Sequence, residues 1–121
     1  MKVLVVDDSK AMRMIVKRSL HHVAVLADAQ VVEAEDGNHA LELIRTDGSP
    51  DLVLCDWNMP NMSGIELLQA LRAEGRDVRF GFVTSETQSA MREQAIASGA
   101  SFLIAKPFSG DEFRELVESV F

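Results

Sequence analysis

The sequence predicts an α/β fold, a parallel sheet wrapped by helices, and three observations lead to this class. Five short aliphatic runs alternate with five segments whose apolar residues recur at helical spacing. These units use all 121 residues, with no linker, repeat or low-complexity segment between them. Strict alternation of strand and helix requires crossover connections, which produce parallel strands. The length is that of one ordinary domain.

The five predicted strands are short runs rich in aliphatic residues. The first, KVLVV, has apolar side chains at successive positions, as expected for a strand that helices cover on both faces. The predicted strands occupy residues 2–6, 30–34, 51–55, 79–83 and 102–105.

Apolar stripes predict a helix after each strand. Serine followed three residues later by glutamate, as in Ser63 with Glu66 and Ser109 with Glu112, predicts capping boxes at two helix starts, and Gly99 suits a left-handed helix end. The stripes are Met12, Ile15, Val16, Leu20 and Val23; Ala40, Leu43 and Ile44; Ile65, Leu68 and Leu71; Met91 and Ala95; and Phe113, Leu116, Val117 and Val120.

Charge and composition exclude several classes of protein. Nineteen acidic residues against 12 Lys and Arg give a formal net charge of −7, which argues against nucleic acid or an anionic membrane as the main partner. The first apolar run is broken by two aspartates, unlike a signal peptide, and no run is long enough to span a bilayer. The single cysteine, Cys55, is expected to be a small core residue in a reducing cytoplasm.

Polar residues stand at the C-terminal ends of four of the five predicted strands. Right-handed crossovers gather these ends at one edge of a parallel sheet, where ligands bind in α/β folds. One acid there can simply cap a helix, but a second acid and the other polar residues at the same edge indicate a binding site. The residues are Asp7 and Asp8, Asp56, Thr84 and Ser85, and Lys106.

The three carboxylates at this edge predict a metal site. At separations of about 4 Å each pair would repel by roughly 4 kcal/mol at a near-surface dielectric constant, so the cluster needs a cation or raised pKa values. Oxygen ligands select a hard ion, and two or three carboxylates with room for water favour Mg²⁺ over Ca²⁺. A metal with open positions beside a lysine and a hydroxyl can receive a phosphoryl group.

Four motifs, VVDDS, CDWNMPNMSGIE, VTSE and AKPF, resemble in this order the receiver domain of two-component response regulators. The similarity covers residues 1–121 as a single receiver domain with no effector domain, and it is greatest to stand-alone, CheY-like chemotaxis regulators. It implies a flavodoxin-like fold, with five parallel strands in the order 2-1-3-4-5. The second strand, which lacks an obvious site residue, would then lie at a sheet edge.

The resemblance implies a role for each acid. Asp56 would be the phospho-acceptor, a carboxylate that attacks the phosphorus of a phosphohistidine. Asp8 and Asp56 would ligate Mg²⁺ directly, Asp7 mostly through water, and Asn58 through its backbone carbonyl.

The resemblance also assigns the residues that hold the transferred group. Lys106 would pair with the phosphoryl oxygens, and Thr84 would donate a hydrogen bond to them after transfer. The bond from Lys106 to Pro107 resembles the cis peptide of the family, which turns the lysine into the site. Phosphoryl transfer needs mainly alignment and charge neutralisation, and these residues supply both.

Further positions are expected to modulate the reaction. Asn58 and Glu86 flank the path of an attacking water and, by the family's pattern, set the lifetime of the phosphorylated state. Ser85 adds a second hydroxyl beside Thr84. Trp57 follows the acceptor, and strand alternation turns its ring away from the acceptor side, so it should be a neighbour of the metal and not a ligand.

One position departs from the family pattern. Leu103 stands where the family often carries a switch Tyr or Phe, and it has neither ring nor hydroxyl. Phe102 beside it should point to the opposite face of the strand. The phosphorylation chemistry is untouched by this difference, whereas the transmission of the signal to the outer surface depends on it.

The functional hypothesis is a cytoplasmic two-component regulator that accepts a phosphoryl group from a histidine kinase or a histidine phosphotransfer domain. Phosphorylation would switch its binding to a downstream protein such as a flagellar switch component. It would catalyse its own phosphorylation and dephosphorylation without being a conventional turnover enzyme, and a monomer is expected. A phosphorelay shuttle or phosphate sink without its own output is the alternative that the sequence leaves open.

Two other classes fit the motifs poorly. An aspartyl-phosphate phosphatase would need a D-x-D pair after the first strand, and a flavin-binding protein a hydroxyl-rich phosphate loop, where Asp7 and Asp8 stand. The basic residues of the first helix, Lys10, Arg13, Lys17 and Arg18, are either a solvated face or a docking surface for an acidic partner.

Overall fold

The computed structural model describes residues 1–121 and contains one parallel sheet in the order β2-β1-β3-β4-β5. The flavodoxin-like topology predicted from the resemblance is confirmed, with β2 at an edge. The strands are β1 (Lys2–Val6), β2 (Gln30–Ala34), β3 (Leu52–Cys55), β4 (Arg79–Thr84) and β5 (Phe102–Ala105). The helices are α1 (Lys10–His21), α2 (Gly37–Asp47), α3 (Gly64–Ala73), α4 (Ser89–Ala97) and α5 (Gly110–Glu118).

All five predicted strands and helices exist, and the differences are small. β3 begins one residue later than predicted, and β4 extends by one residue to Thr84. A short 3₁₀ turn at Ala24–Leu26, which periodicity did not predict, joins α1 to β2. No helix of the chain combines the length and apolar character that crossing a bilayer requires.

The core consists of two apolar clusters, one on each face of the sheet. Side-chain alternation along β1 sends Val3 and Val5 to one cluster and Leu4 and Val6 to the other. The first of these clusters includes buried residues of α1 and α5, and the second includes those of α2, α3 and α4. The central strands β1, β3 and β4 are buried along almost their whole length, so the polar residues that follow them lie at the strand ends.

Helix ends follow the predicted capping with one change. The Ser63 and Glu66 capping box is complete, and Gly99 has a φ of 103° just past α4. Ser109 caps α5 by accepting from the Glu112 N–H at 3.1 Å and donates its hydroxyl to the Glu112 carboxylate, but the bond from its backbone N–H to Glu112 that would complete the predicted box is absent.

The predicted apolar stripe of α1 is wrong at one residue. Ile15 is 44% exposed, although Val16 and Leu20 of the same stripe are buried. Its spacing was compatible with burial, but α1 contacts the sheet along a narrower strip than its apolar residues span.

Candidate functional site

The register of the sheet brings the candidate residues together. Val6 at the end of β1 pairs with Cys55 at the end of β3, so the acids that follow them leave the sheet at the same level. Thr84 pairs with Ala105, which places the residue after it, Lys106, at the same edge. The main chain continues this alignment, because the Asp56 N–H donates to the Val6 carbonyl at 2.9 Å.

The three acids form one cluster. Asp7, Asp8 and Asp56 each offer a carboxylate oxygen, and these oxygens lie within 4.8 Å of one another. Asp7 is buried, Asp56 is partly buried and Asp8 is exposed, so the cluster opens to solvent on one side. Three oxygen donors at this spacing fit a hard divalent cation with positions left for water.

The simpler explanation for the paired acids, a helix cap, is wrong. The cap of α1 is Ser9, whose hydroxyl accepts from the Met12 N–H at 3.2 Å. Asp7 instead accepts from the Ser9 N–H at 2.8 Å, a bond that fixes its carboxylate beside the sheet. Neither acid is needed to start the helix.

Lys106 joins two of the acids. Its Nζ lies 3.0 Å from an Asp7 carboxylate oxygen and 3.3 Å from an Asp56 oxygen. The Lys106–Pro107 peptide is cis, as the resemblance implied. One lysine against three carboxylates leaves the cluster with excess negative charge, which a metal cation would neutralise.

The acceptor candidate Asp56 is also held by its neighbour. The Trp57 N–H donates to the second Asp56 oxygen at 2.7 Å. The Trp57 ring is buried and packs against Phe82, with the ring centroids 4.9 Å apart. The indole therefore lies in the core beneath the acids, and not among the oxygen donors.

The hydroxyl side of the site comes from β4. Thr84 is fully buried, and its hydroxyl accepts from the Glu86 N–H at 3.2 Å. That hydroxyl donates to no protein group, so its proton is free for a ligand. The Glu86 carboxylate in turn accepts from the Asn58 amide at 2.7 Å, which joins the two positions expected to flank an attacking water. Ser85 is exposed and is not joined to the cluster.

The side chain at position 103, where the family often carries a switch Tyr or Phe, lies in the core. Leu103 is buried in the same cluster as Trp57 and Phe82, whereas Phe102 packs in the cluster on the other face of the sheet. The predicted opposition of the two side chains is confirmed.

Comparison with known proteins identifies the family. The family model described as "Response regulator receiver domain" matches residues 3–118. The chain belongs to this family.

Several relatives of this receiver are similar over their whole length. It is 37% identical to the chemotaxis protein CheY of Pseudomonas aeruginosa, over 100% of this chain and 96% of that one. It is 38% identical to a CheY homolog of Campylobacter jejuni, over 99% and 92%. Among solved structures, CheY4 of Vibrio cholerae superposes with a TM-score of 0.86 at 30% identity, over 99% of this chain and 98% of that one.

The receiver site also contains an arginine that sequence reasoning treated as part of a surface run. Arg13 is only 11% exposed. It donates to the backbone carbonyl of Asp7 at 2.6 Å and to the Glu33 carboxylate of β2 at 2.9 Å. Lys17 lies 3.7 Å from the same Glu33. For Arg13 the solvated-face interpretation is therefore wrong, and no local pattern distinguishes it from its exposed neighbours.

The thiol of the residue before Asp56 is unreactive. Cys55 is a free, fully buried thiol, as predicted. Burial, with the charge of Asp56 as a further cause, raises the pKa of the Cys55 thiol well above its ordinary value. The thiolate that would react as a nucleophile is therefore not formed near neutral pH.

Proposed function

We propose that this receiver accepts a phosphoryl group on Asp56 from a phosphohistidine of a partner kinase or phosphotransfer domain, and that the change switches its binding to a downstream protein. The observation that carries the proposal is the interlocked group of Asp7, Asp56 and Lys106, with Asp8 at its open side. One lysine that pairs with two acids at a sheet edge, Asp7 buried and Asp56 partly buried, suits an incoming phosphoryl group.

In the proposed reaction an Asp56 carboxylate oxygen attacks phosphorus. The new P–O bond forms as the P–N bond to the histidine breaks, and the ring, already protonated on its other nitrogen, keeps the bonding electron pair and leaves as neutral imidazole. Asp7, Asp8, Asp56 and the Asn58 carbonyl would hold Mg²⁺, whose charge would offset that of the phosphoryl oxygens.

Two further residues act on the product. Lys106 can leave its ion pairs with the acids and bind a phosphoryl oxygen, because its Nζ already lies between the two carboxylates. Thr84 can donate its uncommitted proton to another oxygen. The Thr84 hydroxyl also accepts from the Glu86 N–H, so any movement toward the phosphoryl group is passed to the chain that follows β4.

The lifetime of the phosphorylated state depends on water reaching phosphorus. Asn58 and Glu86 are joined across the mouth of the site at 2.7 Å. Exchanging either residue should change the rate of phosphate loss much more than the rate of uptake, and a time course of label loss measures the difference. Ser85 and Pro107 would adjust the same region through the backbone.

The phosphodonor has a surface on which to dock. A groove of about 270 Å³, lined by Met12, Ile15, Lys106, Pro107 and Phe108, opens beside the site lysine. An apolar helix carrying the phosphohistidine would cover the exposed Ile15. We place the reaction in the cytoplasm, in a monomer, where the buried Cys55 would remain reduced.

The competing function is a shuttle or phosphate sink without output. Leu103 favours it, since a buried leucine offers no hydroxyl or ring to move when Thr84 moves. A pull-down with phosphorylated and unphosphorylated protein separates the two. A switching regulator gains or loses a partner on phosphorylation, whereas a pure shuttle keeps only its phosphodonor and phosphoacceptor.

The phosphorylation proposal is tested by labelling with a small acyl phosphate. Asp56→Asn should take up no phosphate while keeping the circular dichroism of the parent protein. Asp28→Asn makes the same change at an exposed site and should label normally. Equal labelling of Asp56→Asn and the parent would show that the acceptor is a different residue.

Metal binding can be followed through the single tryptophan. The chain contains one tryptophan and no tyrosine, so its indole emission comes from Trp57 alone. Mg²⁺ should give a saturable change that Asp8→Ala weakens strongly, and a phosphate mimic such as beryllofluoride a second change. A flat titration of the folded parent would contradict the proposed metal site.

A further inference from the structure

The end of β2 carried no candidate residue in the sequence, yet a side chain just beyond it contacts the loop that holds the acceptor. We define this acceptor loop as residues 56–63, between β3 and α3. Asp36 accepts at one carboxylate oxygen from the His39 N–H at 2.8 Å, which caps α2. Its other oxygen accepts from the Asn61 side-chain amide at 2.8 Å.

The backbone supports this contact. The Gly37 N–H donates to the Met62 carbonyl at 3.3 Å, and a Cβ on Gly37 would lie 2.7 Å from the Met62 side chain. Asn61 has a φ of 68°, the one positive value among the non-glycine residues. Asparagine is among the few side chains that tolerate this conformation. The turn before α2 and the acceptor loop are thus fitted to each other.

Side chains hold the acceptor loop from two directions. On the β4 side, Asn58 donates to Glu86. On the β2 side, Asn61 donates to Asp36. Two backbone hydrogen bonds fix the ends of the loop. The Asp56 N–H donates to the Val6 carbonyl, and the Gly64 N–H donates to the Trp57 carbonyl at 2.8 Å. The middle of the loop is therefore held by these two side-chain bonds together with the bond from the Gly37 N–H to the Met62 carbonyl.

We propose that Asp36 and Asn61 are a positioning pair, through which the edge strand β2 holds the acceptor loop in the conformation that binds the cation. The chemical consequence rests on the proposed function, because the Asn58 carbonyl lies in this loop. The His39 N–H and then the Asn61 amide lower the pKa of Asp36. The carboxylate is therefore ionised near neutral pH and makes charge-assisted hydrogen bonds, which are stronger than neutral ones.

Two substitutions remove the same hydrogen bond from opposite sides. Asp36→Ser keeps a good helix cap but has no second oxygen for Asn61. Asn61→Gly keeps the left-handed backbone without strain and removes the amide. Asp36→Asn is the conservative control, since its side chain can still cap α2 and exchange a hydrogen bond with a reoriented Asn61 amide.

The expected result is a shared loss of affinity. Asp36→Ser and Asn61→Gly should each weaken Mg²⁺ binding, read from Trp57 emission, by about threefold to tenfold, the range of one lost hydrogen bond. The double variant should lose no more than either single variant, because the second change has nothing left to remove. Asp36→Asn should bind within about twofold of the parent.

A metal-free measurement tests the positioning directly. In the absence of Mg²⁺, amide hydrogens of residues 57–62 should exchange faster in both single variants and at the parental rate in Asp36→Asn. A merely structural role for the α2 cap would instead accelerate exchange in α2 and leave Asn61→Gly like the parent.

The outcomes separate this inference from the proposed function. Parental Mg²⁺ affinity and loop exchange in both single variants, with a parent that labels normally, would overturn the positioning pair alone. Losses that add in the double variant would also overturn it. A parent that neither binds Mg²⁺ nor takes up phosphate would overturn the proposed function, and the exchange measurement would still decide whether the pair holds the loop.

Discussion

The helices that follow β3 and β4 are held very differently, although both strand ends contribute to the site. α3 starts with a complete capping box and buries Gly64, Ile65, Leu67, Leu68 and Leu71. α4 starts at Gln88 with no side-chain cap, buries only Ala95 and leaves Ile96 52% exposed. Few buried contacts and an uncapped start mean low local stability.

The two sides of the site therefore differ in how firmly the helix that follows each strand is held. The Asp56 side, which continues into α3, is fixed by packing. The hydroxyl side begins at the buried Thr84 and continues into a weakly held helix. A small movement of Thr84 would therefore meet little resistance in α4.

The largest expected effect comes from breaking the fixed side. In Gly64→Ala a Cβ would overlap the Asp56 carbonyl oxygen and lie 2.9 Å from the Phe82 ring. Because backbone cannot yield as a flexible side chain can, we expect a loss of about 3 kcal/mol in the free energy of unfolding. In the control variant Gly110→Ala, also at a helix start, the added Cβ has no neighbouring atom within 4 Å. This substitution should be neutral or slightly stabilising. Urea titration measures both, and equal losses would contradict the packing difference.

The second prediction removes the lysine that crosses the acids. Lys106→Ala should bind Mg²⁺ about tenfold more tightly, because the variant lacks the positive charge that repels the cation. Tenfold corresponds to ~1.4 kcal/mol, a fraction of the roughly 4 kcal/mol expected between two unit charges 4 Å apart at a dielectric constant near 20. Phosphorylated Lys106→Ala should no longer change its partner binding. Lys10→Ala removes the same charge from an exposed position and should do neither. If phosphorylation changes the partner affinity of Lys106→Ala as much as it changes that of the parent, the proposed role of Lys106 is contradicted.

The third prediction concerns a smaller effect, the removal of the cap of α3 and the addition of a cap to α4. Ser63→Ala should cost about 1 kcal/mol by removing the α3 cap, and Gln88→Asp should add up to about 1 kcal/mol by giving α4 a cap. Amide exchange should slow throughout α4 in Gln88→Asp and leave α3 unchanged. Slow exchange already present in α4 of the parent would show that the helix is more stable than its contacts indicate.

The smallest expected effect is a pH dependence of the α3 cap. Hydrogen bonds from the Ser63 backbone and hydroxyl lower the pKa of Glu66 from its ordinary 4.5. A lowered folded-state pKa means that the stabilisation is present above the unfolded value and is lost as pH falls through the folded value. The stability difference between the parent and Glu66→Gln should therefore shrink below about pH 4.5. Thermal melts of both proteins at a series of pH values measure this stability difference. A difference that does not change with pH would contradict the proposed contribution of the Glu66 carboxylate to the capping box.

Local chemistry explains how much of the molecule could be predicted from its residues. Alternation of apolar runs predicts five strands and five helices, because burial against a sheet imposes a period on each element. The same order of elements puts Asp7, Asp56, Thr84 and Lys106 at one edge, since parallel strands all end there. Caps such as Ser63 with Glu66 depend on neighbours in the chain and are equally visible.

Contacts between distant segments were decided by the tertiary structure. Arg13 has the sequence environment of an exposed basic residue, yet folding puts it between the Asp7 carbonyl and Glu33. Asp36 caps α2, but its bond to Asn61 joins residues that are 25 positions apart. Ile15 has the spacing of a core residue and remains exposed. Periodicity and motifs describe what each segment can bury or bind, whereas the choice of partner depends on distances that exist only after the segments have packed.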